Sequence, residues 1–239
     1  MNSPRIEALG DGALLIQCGA GIDAGVNAQA LAIARAIETA KLPGILDIAP
    51  AYASVCLRYE PHAWIGADVQ SPFARLAERL STLVEDVASS PVRGYYSLSP
   101  DAVGGEGWGE GELLEIPVIY GGESGPDLDE VAAHAGLMRE AVIELHSGAE
   151  YRVAMLGFTP GFPYLLGLPD ALHMPRRATP RTRVPAGSVA IGGAQTGVYP
   201  RETPGGWHLI GRTPLHLFDP ARDPPALLKP GMRVKFVAQ

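Results

Sequence analysis

Leu156-Gly157-Phe158-Thr159-Pro160-Gly161-Phe162-Pro163-Tyr164-Leu165 opens the stretch that decides the fold. Glycine and proline punctuate it, and only short apolar runs fit between them. The same texture continues through Pro175-Arg176-Arg177-Ala178-Thr179-Pro180-Arg181-Thr182-Arg183-Val184-Pro185-Ala186-Gly187-Ser188 and Gly192-Gly193-Ala194-Gln195-Thr196-Gly197-Val198-Tyr199-Pro200. It closes on Thr203-Pro204-Gly205-Gly206-Trp207-His208-Leu209-Ile210-Gly211-Arg212-Thr213-Pro214. Apolar runs at 151–156, 188–191, 207–210, 215–218 and 234–237 are too short for helices and suit strands. Such strands, separated by Gly/Pro turns, predict a mainly-β barrel or sandwich with a few helices inserted.

Working outward, residues 113–120 read as a strand, and 127–135 and 138–147 as two helices joined at Gly136. Residues 88–112 are turn-rich and lack apolar periodicity, which predicts a linker. Ahead of it, 5–9 and 13–18 form two strands around the turn signal Gly10-Asp11-Gly12. Asp23 caps a helix over 23–41 that carries Val26, Ala30, Leu31, Ile33, Ala34 and Ile37 at helical spacing and stops at Pro43-Gly44. Strands at 45–48 and 52–59 follow, then a helix opened by Ser71-Pro72. The order ββαββα predicts a small α+β sandwich. The expected organisation is an α+β domain over 1–87, a linker over 88–112 and a barrel domain over 113–239.

The 46% hydrophobic content suits a globular protein. No run of 18 apolar residues is present, so no membrane association is expected. Residues 1–7 lack an apolar core, so no signal peptide is expected and a cytoplasmic location is. Cys18 and Cys56 lie in strand-like stretches and read as reduced thiols. A net charge of −7 argues against a nucleic-acid partner. That charge is unevenly spread. Residues 101–150 hold twelve acids against one arginine, and 151–239 hold eleven Lys/Arg against four acids. The basic third predicts a local anion site, and mutual neutralisation within one domain is the alternative.

Arg176, Arg177, Arg181 and Arg183 crowd four guanidiniums into eight residues. Such a cluster needs carboxylates or a small anionic ligand, which guanidinium forks bind in bidentate fashion. Thr159-Pro160-Gly161 and Thr203-Pro204-Gly205 recur 44 residues apart and read as two rigid turns that could line one pocket. Phe162, Tyr164, Tyr199 and Trp207 lie in these loops and read as pocket or interface walls, or as plugs of the barrel end; Phe162, Tyr164 and Trp207 are expected to be only partly covered in the free chain. The expected anion-binding set is Arg176, Arg177, Arg181, Arg183, Arg212, Gly161, Phe162, Tyr164, Tyr199, Gly205, Gly206 and Trp207. The best catalytic candidates are Arg177, Arg181 and His208. No GxxxxGK[ST] motif, no HExxH and no His/Cys cluster at metal spacing is present, so no metal site is expected.

Taken together and in order, the Gly157 to Phe162 motif, the arginine run, Tyr199-Pro200, the Thr203 to Thr213 motif, Tyr120-Gly121-Gly122, Gly125-Pro126-Asp127-Leu128 and Pro230-Gly231-Met232-Arg233-Val234 resemble the KipI or allophanate-hydrolase-subunit-1 family and the 5-oxoprolinase B subunits within it. The likeness is strong over 113–239 and looser over 1–87. It implies a cyclophilin-like barrel behind a small α+β domain. It also implies a C subunit of the KipA or allophanate-hydrolase-subunit-2 type and an A subunit of the LamB/YcsF type. The assembled enzyme would use ATP, bound by the complex and not necessarily by this chain, to open 5-oxoproline to glutamate. Two other roles fit the same resemblance. One is a carboxyltransferase-related subunit of a urea or allophanate pathway, and the other a histidine kinase inhibitor of the KipI kind.

Overall fold

The computed structural model describes residues 4–89 and 113–239. Two compact units divide the chain, Met1–Ala102 and Val103–Gln239. Most of the stretch expected to be a linker, 90–112, lies outside the described residues.

In the first unit, β1 (Arg5–Ala8), β2 (Ala13–Gln17), α1 (Ala24–Ala40), β3 (Ile45–Pro50), β4 (Ser54–Tyr59) and α2 (Pro72–Ser89) follow in the expected ββαββα order. The strands form a sheet in the order β1-β2-β4-β3, with every pairing antiparallel. The Asp23 carboxylate accepts from the Val26 amide at 2.8 Å and starts α1. Lys41, in the left-handed region at φ 45°, ends it. Leu14, Ile16, Val55 and Leu57 of the sheet pack against Ile33 and Ile37 of α1 and Leu76, Leu80 and Val84 of α2. Cys18 and Cys56 are free. Burial pushes the Cys18 thiol up to about 11, so it stays protonated and inert at neutral pH. Alkylation at pH 8 should therefore mark the half-buried Cys56 well before Cys18, as read by peptide mass; equal labelling would contradict this burial.

The second unit contains β5 (Leu113–Tyr120), α3 (Leu128–Ala135), α4 (Arg139–Gly148), β6 (Glu150–Leu156), β7 (Pro163–Leu166), β8 (Arg181–Val184), β9 (Ser188–Gly192), β10 (Gln195–Val198), β11 (Thr203–Gly205), β12 (His208–Arg212) and β13 (Arg233–Ala238). Among the described residues, seven strands close a barrel in the order β10-β7-β6-β13-β5-β12-β9. The expected barrel is thus present. Its β13–β5 pairing is parallel, with Arg233 opposite Leu113, and the other pairings are antiparallel. β8 and β11 pair separately.

Three local expectations change. Residues 215–218 are not a strand; Phe218 makes only an isolated bridge to Ala226. The Thr203-Pro204-Gly205 segment is β11 and not a turn, because its backbone pairs with β8. Tyr164 lies on β7, not in a loop, its neighbours being hydrogen-bonded to both β6 and β10.

The barrel core joins Ile116, Val118, Val153, Leu165, Ile191, Val198, Val234 and Phe236 to Leu128 and Val131 of α3 and Val142 of α4. Polar side chains enter it too, His146 and Thr196 among them. His146, at the end of α4, is fully buried and stacks on Phe236 with centroids 4.6 Å apart. Its Nδ1 lies 2.7 Å from the Tyr120 hydroxyl and its Nε2 3.0 Å from Thr196 Oγ1. Thr196 donates its single hydroxyl proton to the Ala190 carbonyl at 3.0 Å. Thr196 must then accept from His146, which puts the imidazole proton on Nε2 and leaves Nδ1 to accept from Tyr120. Burial drops this imidazole to about 3, so it is neutral.

Candidate functional site

A cleft of about 180 Å³ opens on the second unit. Phe162, Tyr164, Tyr199 and Trp207 form its aromatic wall, with Phe158, Arg176, Arg177, Pro180, Gly205 and Gly206 completing the lining. The turn from β6 to β7 is set by hydrogen bonds from the Thr159 amide to the Gly157 carbonyl (2.6 Å) and from the Phe162 amide to the Thr159 carbonyl (3.0 Å). This turn holds Phe158 at φ 63°, with the residue 62% exposed. A bulky residue in the left-handed region carries strain that the surrounding structure must hold in place.

The aromatic rings pack edge to face. Phe162 lies 4.9 Å from Tyr164, 5.1 Å from Tyr199 and 5.5 Å from Trp207, centroid to centroid. Glycines make the room. A Cβ on Gly192 would sit 2.6 Å from the Trp207 indole, and one on Gly205 would sit 2.3 Å from the Tyr199 hydroxyl. This mutual packing overturns the expectation of partial cover for two of the three rings: Phe162 is 2% exposed and Trp207 5%, and Tyr199 beside them is 2% exposed. Tyr164 is half-buried, in line with its expected partial cover, and Phe158 is exposed. Burial raises the Tyr164 phenol, with the Arg176 charge pulling the other way.

The arginines divide by partner. The Arg176 guanidinium stands 5.8 Å from the Trp207 ring centroid, a cation–π placement. Arg177 Nη1 donates to Asp127 Oδ1 at 3.1 Å and to Glu130 at 3.3 Å. Arg181 Nη2 donates to the same Asp127 Oδ1 at 2.7 Å. Arg183 leaves the cleft and makes a bidentate pair with Glu202 on the surface. Arg212 lines a different cleft, of about 380 Å³, with Thr213 and His216. Gly161 turns its back on the aromatic wall, and a Cβ there would meet Phe218 at 2.8 Å. His208 starts β12 and is buried; its Nε2 donates to the Pro175 carbonyl at 3.0 Å, and its Nδ1 lies 3.5 Å from Glu130. The cleft therefore offers cations, aromatic faces and phenols, a surface fitted to a small anion with a flat body. Among the described residues no group of His, Cys, Asp and Glu is arranged to hold a metal ion.

The sequence profile of the carboxyltransferase domain, subdomain C and D, matches residues 4–228. The chain belongs to this carboxyltransferase C and D family. Three relatives are named as the B subunit of 5-oxoprolinase, among them two that match over most of the chain. The Bacillus subtilis (strain 168) protein is 43% identical over 98% of this chain and 92% of its own length. That of Escherichia coli O157:H7 is 52% identical over 78% of this chain and 92% of its own length. The crystal structure of TTHA0988 superposes with a TM-score of 0.74 at 39% identity, covering 95% of this chain. This chain spans 40% of the length of that protein.

Set against the carboxyltransferase C and D family fold, the predicted residues separate cleanly. The fold brings Phe162, Tyr164, Arg176, Arg177, Tyr199, Gly205, Gly206 and Trp207 to one cleft. Arg181 and His208 do not line it, and Arg183 and Arg212 lie elsewhere. Asp127, Glu130, Phe158 and Pro180 were not singled out from sequence. The available signal for the two acids was the arginine excess itself, which demanded carboxylates from the acidic 101–150 stretch.

Proposed function

We propose that this chain is the B subunit of an ATP-dependent 5-oxoprolinase that opens 5-oxoproline to L-glutamate in the cytoplasm together with A and C subunits. The observation that carries the reading is 43% identity to a protein of that name over 98% of this chain. The cleft supports it in chemical terms. 5-Oxoproline is a flat lactam bearing a carboxylate, so Arg176 and Arg177 receive the carboxylate and the aromatic wall faces the ring. Ring opening adds water across the lactam C–N bond, driven by ATP hydrolysis. ATP binds to the assembled enzyme, whose C subunit is of the KipA type and whose A subunit is of the LamB/YcsF type. Of the catalytic candidates, Arg177 is the one that reaches the cleft, and Arg181 and His208 support it. Among the described residues no helix is long and apolar enough to cross a membrane.

The purified chain should form no glutamate from 5-oxoproline and ATP, and adding A and C subunits should produce it with matching ADP release. Turnover by the single chain, or none from the full set, would refute the proposal. The family's carboxyltransferase designation favours one second reading, a role in biotin-dependent carboxyl transfer. Under that reading the chain would instead gain activity beside a biotin carboxylase, with bicarbonate required.

A further inference from the structure

We infer that Asp127 is the positioning residue of the aromatic cleft: its carboxylate sets where the guanidiniums of Arg177 and Arg181 stand, and so how an anionic substrate is received. This rests on reading the cleft as the substrate's anion site.

Asp127 occupies the N-cap of α3, where an aspartate ordinarily accepts from an amide of its own first turn. Here it makes no such bond. Its Oδ2 accepts instead from the Leu209 amide of β12 at 2.7 Å, while Oδ1 takes both Arg177 (3.1 Å) and Arg181 (2.7 Å). The backbone repeats the link, with the Asp127 amide donating to the Leu209 carbonyl at 2.9 Å. Gly125 allows this approach, since a Cβ there would lie 2.0 Å from the Ile210 carbonyl oxygen. The residue is thus tied to a barrel strand through both its carboxylate and its own amide, and it is only 4% exposed.

The arginines come to it from the segment that builds the cleft's edge. The Arg177 amide donates to the Gly206 carbonyl at 2.8 Å, and Arg181 pairs with Gly205 across β8 and β11. Two guanidiniums held this near each other would repel without the shared carboxylate. Asp127 engages one end of each and leaves others open: Arg177 Nε and Arg181 Nη1 are buried, with no hydrogen-bond partner among the described residues. Buried donors left open are costly unless an acceptor arrives. The charges also leave room for one. Arg176, Arg177 and Arg181 bring three positive charges against two negative on Asp127 and Glu130. The Asp127 carboxylate does not line the cleft, so it acts through the arginines and not on the substrate.

The decisive variant is Asp127→Asn, which keeps the shape and an acceptor for Leu209 but removes the charge. In the reconstituted complex of all three subunits, KM for 5-oxoproline should rise about tenfold, with kcat and the KM for ATP within about threefold of wild type. Glu130→Gln, at the half-exposed partner, should change KM far less. A folded, assembling Asp127→Asn protein with unchanged KM, or with the loss confined to kcat, would overturn the inference. A wild-type complex without activity would refute the proposed function instead. The positioning claim is then read directly by nitrogen NMR of the full-length chain. Arg177 and Arg181 should show resolved, immobilised guanidinium signals that average out in Asp127→Asn, while those of surface Arg183 do not change. Signals that stay resolved in the variant, or that are already averaged in the wild-type chain should the variant not fold, would equally overturn it.

Discussion

Trp207→Ala should lower the unfolding free energy of the barrel unit by about 3–5 kcal/mol and abolish the cleft with it. The indole is 5% exposed and contacts Phe162 and Tyr164 edge to face, at 5.5 and 5.8 Å. Phe162, Tyr199, Val184, Ala190 and Leu209 form a small core of their own around it. Removing the ring leaves a hole between side chains that lean on one another and strips Arg176 of the aromatic face it stands over. Trp207→Phe should keep part of the packing and cost less. Gly192→Ala should reproduce much of the damage from the opposite side, because its new methyl would meet the indole ring atoms at 2.6–2.7 Å. Urea unfolding followed by near-ultraviolet circular dichroism measures all three. A loss under about 1 kcal/mol in the alanine variant would mean that the wall collapses onto the space and that the ring is not its keystone.

The second large effect is acid sensitivity traced to one residue. His146 is neutral when folded down to about pH 3 and has an ordinary value of 6.5 when exposed. Between those limits the unfolded chain takes up a proton that the folded chain refuses. Stability must therefore fall as pH drops from 6.5 toward 3, by about 1.4 kcal/mol per pH unit from this group. Above 6.5 both states are neutral and the contribution vanishes. His146→Gln gives the control, because its amide can donate to Thr196 and accept from Tyr120 without titrating. The measurement is the unfolding free energy of both proteins across pH 3–8. The wild-type curve should drop more steeply below 6.5, and parallel curves would show that the imbalance lies elsewhere.

The sequence announced the barrel through its spacing of Gly and Pro, yet it hid several of the strands. β7, β8, β10 and β11 are short and contain Pro, Gly or Arg, which locally read as turn or loop. Their strand character comes from backbone partners far along the chain, such as Thr203 opposite Val184, and no local pattern encodes that. The 215–218 run fails for the converse reason, being apolar enough for a strand but lacking a neighbouring strand to pair with among the described residues. At the cleft, residue type carried the information, since arginines and aromatics on Gly/Pro segments are conspicuous. Burial did not, because whether rings face solvent or each other depends on glycines opposite them, at 192, 197 and 205. Asp127 was least legible. After Gly-Pro and before a helix it resembles an ordinary cap, and its partners follow 50 and 54 residues later.

The parallel pairing of β5 with β13 also sets a timetable. Leu113 and Arg233 are partners 120 positions apart, so β5 leaves the ribosome long before its neighbour exists. At a synthesis rate of about 5–20 residues per second, it waits on the order of ten seconds. During that interval the edge that β13 will occupy is open on both β5 and β6, and apolar residues such as Ile116, Val118 and Val153 have no completed barrel to enter. The first unit faces no such delay, because its sheet joins strands no more than about fifty residues apart. It can be finished before β13 exists to close the second. Nascent-chain aggregation and chaperone demand should therefore concentrate in the interval between completion of β6 and emergence of β13.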